Sequence, residues 1–152
     1  MQGTDFHGDN AIAWALKRGD EGVLRVLLEW SEAHSDTLNR KYGSALLLWA
    51  AENGHEGVVR ILLEWNDVDP DKLDRFCPTP LLLAAQSGHE SVVRMLLERN
   101  VNPDKADILG QTPLLRASAF GHEVVVRMLL ERHDVNLNKR DFWGLTPLSV
   151  AL

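Results

Sequence analysis

In the second half of the chain, apolar residues fall in two alternating clusters. One follows Thr112-Pro113 and contains Leu114, Leu115 and Ala117, with the small Ser118 beside them. The other runs Val124, Val125, Val126, Met128, Leu129 and Leu130, interrupted only by Arg127 and closed by Glu131. This spacing predicts two helices, the second half buried. Thr112 is suited to cap the free N–H groups of the first helix, and Pro113 suits its first position. Gly121 predicts the stop, because glycine readily takes the left-handed conformation beyond a helix end. From Asp134-Val135-Asn136 to Asp141-Phe142-Trp143-Gly144 the pattern predicts a loop with a tight turn at its glycine.

The same wording recurs. Thr79-Pro80-Leu81, Gly88-His89-Glu90 and Met95-Leu96-Leu97-Glu98 stand 33 positions before Thr112-Pro113-Leu114, Gly121-His122-Glu123 and Met128-Leu129-Leu130-Glu131. Thr146-Pro147-Leu148 begins again 34 positions later, and Ala45-Leu46-Leu47 with Gly54-His55-Glu56 is a looser copy 34 positions upstream of Thr79. Asn10-Ala11-Ile12 with Gly19-Asp20-Glu21 is the loosest, 35 positions before that. A fixed period of this size predicts a stack of small helical units that bury their flanks against each other. The expectation is a single all-α domain over 1–152. Its units lie at about 5–39, 40–73, 74–106 and 107–140, with a partial one at 141–152. The unfinished last unit, with Leu148, Val150 and Leu152 unshielded, predicts a piece of a longer array.

The pattern Asp-x-x-Gly-x-Thr-Pro-Leu, then Ala-x-x-x-Gly-His, then Leu-Leu resembles the ankyrin repeat over nearly the whole chain. The loop wording Asn102-Pro103-Asp104-Lys105-Ala106-Asp107 is similar to ankyrin arrays of fungal multidomain proteins that carry a NACHT-type nucleotide-binding module. The resemblance implies an α-solenoid of helix-turn-helix units joined by β-hairpin-like finger loops. It implies a non-catalytic scaffold that binds a protein partner through its concave face and fingertips, or else a regulatory segment of a larger NACHT-type ATPase. The chain departs from the family in two places. The histidine after Thr-Pro-Leu is replaced by Leu82, Leu115 and Ser149, and Cys77 stands where the finger turn usually has glycine.

Composition narrows the function. The chain has 152 residues, a formal charge of −6 and 45% hydrophobic residues. The acidic balance argues against a nucleic-acid surface, and no apolar run is long enough to span a bilayer. A single cysteine forms no internal disulfide, which suits the cytoplasm or the nucleus. A monomer is expected.

Candidate chemistry is sparse. His55, His89 and His122 occupy one slot in successive units, so they lie about 8–10 Å apart, the spacing of packed helices, and share no zinc ion. They are expected to bond the turn of a neighbouring unit. Asp67-x-Asp69-x-Asp71 starts like a calcium loop but has Lys72 and Pro78 where glycine and glutamate are required. No phosphate loop, nucleophile elbow or other catalytic set is present, so neither an enzyme nor a cofactor is expected. The columns Glu21/Arg25/Glu29, Glu56/Arg60/Glu64, Glu90/Arg94/Glu98 and Glu123/Arg127/Glu131 predict a self-neutralised outer face, each pair worth about 0.2–0.5 kcal/mol.

The finger turns are where binding is expected. The resemblance puts Phe6-His7, Lys41-Tyr42, Arg75-Phe76, Ile108-Leu109 and Phe142-Trp143 at the tips, an unusually apolar file. Such rows mark interaction surfaces, although adjacent fingers stacking on each other would also cover them. Beside them, the ends of the first helices present Lys17-Arg18, Glu52-Asn53, Gln86-Ser87 and Ala119-Phe120. Trp14 and Trp49 are expected as core fillers, and Trp30 and Trp65 as shields of the joints between units. Arg116, in the slot of those first tryptophans, either reaches solvent or pairs with an acid.

Overall fold

Each Thr-Pro step starts a helix as its chemistry requires. Thr79, Thr112 and Thr146 are extended, and their hydroxyls accept hydrogen bonds from the backbone N–H groups of Leu82, Leu115 and Ser149 at 3.1, 3.2 and 3.3 Å. Proline follows at the first helical position in all three. Thr79 and Thr112 are buried, so each cap satisfies a donor that water cannot reach, worth about 1 kcal/mol.

The computed structural model describes residues 11, 12, 14, 15, 18–34, 36–65, 68–71 and 78–151, with only the backbone described for 31–34 and 36–42. Eight helices have defined ends: α1 (Glu21–His34), α2 (Asp36–Asn53), α3 (Glu56–Glu64), α4 (Pro80–Ser87), α5 (Glu90–Leu97), α6 (Pro113–Ala119), α7 (Glu123–Leu130) and α8 (Pro147–Val150). Among the described residues there is no strand. Helices α2, α4, α6 and α8 pack as one row, and α1, α3, α5 and α7 as a second. Within a unit, α2 packs on α3, α4 on α5 and α6 on α7. This is the expected all-α stack.

Its core is continuous rather than central. Leu62, Leu96 and Leu129 hold the same slot in successive units and are fully buried, as are Ala50, Ala84 and Ala117. The alanines let first helices approach closely, while the leucines and valines fill the space between the rows. Polar hooks cross the two middle joints. The ring Nε2 of His89 donates to the carbonyl of Glu52 at 2.9 Å, and that of His122 to the carbonyl of Gln86 at 2.8 Å. The His122 ring lies against Gly88, where a Cβ would come within 2.5 Å of Nδ1, so this left-handed residue also needs its missing side chain. On the loops, Asn102 N–H donates to Asp71 Oδ2 at 2.7 Å and Asn136 N–H to Asp104 Oδ2 at 2.8 Å. His89 and His122 thus bond the preceding unit, at the last turn of its first helix.

The second unit differs from its expected form. The finger turn at Lys41-Tyr42 is absent, because α2 runs unbroken from Asp36 to Asn53. Gly43-Ser44-Ala45-Leu46 stands here in place of Gly-x-Thr-Pro, so no proline blocks the helix upstream and no threonine fixes a start. Lys41 and Tyr42 therefore belong to a helix.

Two tryptophans also depart from expectation. Trp14 is 63% exposed, with the Arg18 guanidinium 4.7 Å from its ring centre, and is no core filler. Trp30 is likewise largely exposed. Trp49 packs on the core and stacks on His55 at 4.6 Å, and Trp65 is buried, both as expected. The outer charge column is only half realised. Arg127 pairs with Glu123 and Arg25 with Glu29, whereas Arg60 and Arg94 form no ion pair among the described residues.

Candidate protein-interaction surface

The fourth finger, 107–111, is shaped by one carboxylate. Asp107 Oδ1 accepts the N–H groups of Leu109 and Gln111, both at 2.9 Å, and the loop closes through Asp107 N–H to Gln111 O at 3.1 Å. Asp141 builds the fifth finger in the same way, accepting from Trp143 at 3.0 Å and Leu145 at 2.8 Å. Aspartate two and four residues before the bonded amides is a turn-forming arrangement readable as Asp-x-x-Gly, and it is the feature that composition alone passes over.

The two fingers are joined by backbone. Phe142 N–H donates to Leu109 O at 2.8 Å. Gly110 makes this approach possible: it has φ +76°, and a Cβ there would stand 3.1 Å from Asp141 Cα. The joint aligns Ile108 with Phe142 and Leu109 with Trp143. Their side chains remain outward, with Phe142 82% exposed, Trp143 61% and Ile108 59%, while Leu109 is half buried.

Other expected positions are distributed around this file. Phe120, at the end of α6, is exposed and lies over His122 with ring centres 6.4 Å apart. Glu52 is exposed and Gln86 half buried, and their carbonyls hold the histidine hooks. Arg116 resolves toward an acid, its Nη2 lying 3.4 Å from Asp107 Oδ2. The pair braces the finger against its own first helix. Leu148 is exposed and, with Leu114, Val126, Leu130 and Pro147, lines a cleft of about 340 Å³. Phe6, His7, Lys17, Arg75, Phe76 and Cys77 lie outside the described residues, as do the side chains of Lys41 and Tyr42.

One ion pair lies away from the fingers. Arg132 grips Asp134 through Nε and Nη2 at 2.8 and 2.6 Å and donates from Nη1 to Leu97 O at 3.1 Å. Its hydrogen bond holds the Asp134 carboxyl below the usual carboxylate range and raises the guanidinium.

Stacked helix pairs with projecting, backbone-joined fingers define a helical repeat solenoid. A family model described as ankyrin repeats (3 copies) matches residues 1–74 and 47–141, and the chain belongs to the ankyrin repeat family. A search of curated proteins gives no match. Ankyrin repeats are in general protein–protein interaction modules, and the family is generally non-catalytic. Among the described residues no helix is long and apolar enough to cross a membrane.

Proposed function

We propose that this chain is a non-catalytic scaffold that captures a protein partner on its finger row and the adjoining concave ends of the first helices. The observation that carries this reading is the exposure of Ile108, Phe142 and Trp143 on two fingers already bonded to each other. The fingers meet through backbone, so holding them together does not consume the side chains, and aromatic anchors fixed in one row lose little freedom on binding. Phe120, Gln86 and Glu52 flank the row as its polar and apolar border. Arg75 and Phe76 extend the proposal along the chain, whereas Lys41 and Tyr42, inside α2, stand outside the finger row. Arg116 serves the surface by bracing Asp107.

The test is a triple variant, Ile108→Ser, Phe142→Ser and Trp143→Ser, used beside the unmodified chain in affinity capture. Loss of the captured partner with unchanged helical circular dichroism is expected. Equal capture by both removes the finger row as the binding surface.

A further inference from the structure

Fingers four and five are built alike, but only one is electrostatically complete. In finger four, Asp107 uses Oδ1 for two backbone amides and Oδ2 for Arg116, nine residues further on. In finger five, Asp141 uses Oδ1 for the corresponding two amides, but nine residues further on stands Val150. Asp141 is 7% exposed, and its Oδ2 is buried with no hydrogen-bond partner among the described residues. Arg140, adjacent and exposed, does not bond it. A carboxylate oxygen removed from water without a donor is costly, and the cost is relieved by any cation that reaches it.

The geometry points to finger five as a seat for an arginine side chain supplied by the bound protein. This rests on the protein-binding reading above and adds the partner's chemistry to it. The guanidinium donates to Asp141 Oδ2, while its stem lies against the exposed Phe142 and Trp143 rings. The chain supplies both halves of the precedent: Arg116 reaching Asp107, and the Arg18 guanidinium over the Trp14 ring. Arginine fits better than lysine because its flat, forked group both stacks on an aromatic face and donates along more than one direction. The chain's formal charge of −6 draws a basic segment toward it.

The probe is the capped tripeptide Gly-Arg-Gly, with its uncharged citrulline counterpart as control, titrated into the isotope-labelled chain. The Trp143 and Leu145 amide signals should move saturably with the arginine peptide, and at least tenfold more weakly with citrulline. Val150→Arg gives finger five its own guanidinium and should abolish the response. Arg116→Leu empties the seat of finger four and should add a second response at Leu109 and Gln111. Equal shifts from both peptides, or a Val150→Arg variant that responds like the parent, overturn the seat. If Val150→Arg loses helical signal, Asp141→Asn decides, since its side-chain oxygen can still accept the two amides while the charge is gone; an undiminished response there overturns the seat equally. Partner capture that depends on the finger row, combined with no arginine response, removes the seat alone. Capture that survives the triple serine variant removes the surface reading instead.

Discussion

The segment Asp36–Asn53 and the segment 107–130 descend from the same repeating pattern yet fold differently at their starts. In the later segment a finger turns at Gly110, Thr112 caps, Pro113 follows and α6 begins. In the earlier one the helix passes straight through the corresponding place. Both carry the same buried slots, with Leu47 and Ala50 matching Leu114 and Ala117. The difference shows that the core slots specify stacking, whereas the finger is specified separately, by a capping threonine, a proline and a turn aspartate. A unit keeps its place in the stack after losing its finger.

The largest effect should come from the shared part. Leu62→Ala in α3 and Leu96→Ala in α5 each empty a fully buried slot and should each destabilise by about 3 kcal/mol, read from urea unfolding. A loss confined to Leu96→Ala would mean that the earlier unit is not part of the common core, and the comparison would fail. A smaller effect should separate the two regions. Thr112→Ala should cost about 1 kcal/mol, whereas Ser44→Ala, in mid-helix beside Ala45, the counterpart of Thr112, should change stability by only a few tenths. Equal costs would place a helix start at Ser44 after all.

The smallest effect is that of pH on the Arg132–Asp134 pair. Asp134 has its folded pKa lowered, so its contribution is present above the unfolded carboxylate pKa and is lost as pH falls below about 4. Asp134→Asn should therefore lower the melting temperature slightly at neutral pH, and by progressively less as pH falls below about 4. Asp134 is exposed, so solvent screening keeps the difference small.

Much of this was legible from residues. The period gave the stack, Thr-Pro gave three helix starts, and the histidine slot gave the hooks between units, because each rests on a local rule or a simple distance. The second unit departs from the period because Gly43-Ser44-Ala45 has the spacing of a start without its chemistry. Trp14 shares its slot with Trp49 and Leu83 by spacing alone, and spacing does not fix what packs around it. The Arg116 pairing was open in sequence as one of two outcomes, and nine-residue contact with Asp107 required the finger's fold to decide it. The bond between Phe142 and Leu109 has no side-chain signature at all.

The hooks described above each span one joint and no more: His89 to Glu52, His122 to Gln86, Asn102 to Asp71, Asn136 to Asp104. Among the described residues no hydrogen bond links distant units to hold the array shut as a whole. Under tension along its axis, such a chain should yield one layer at a time, and after release each layer should find its seat from its neighbour alone.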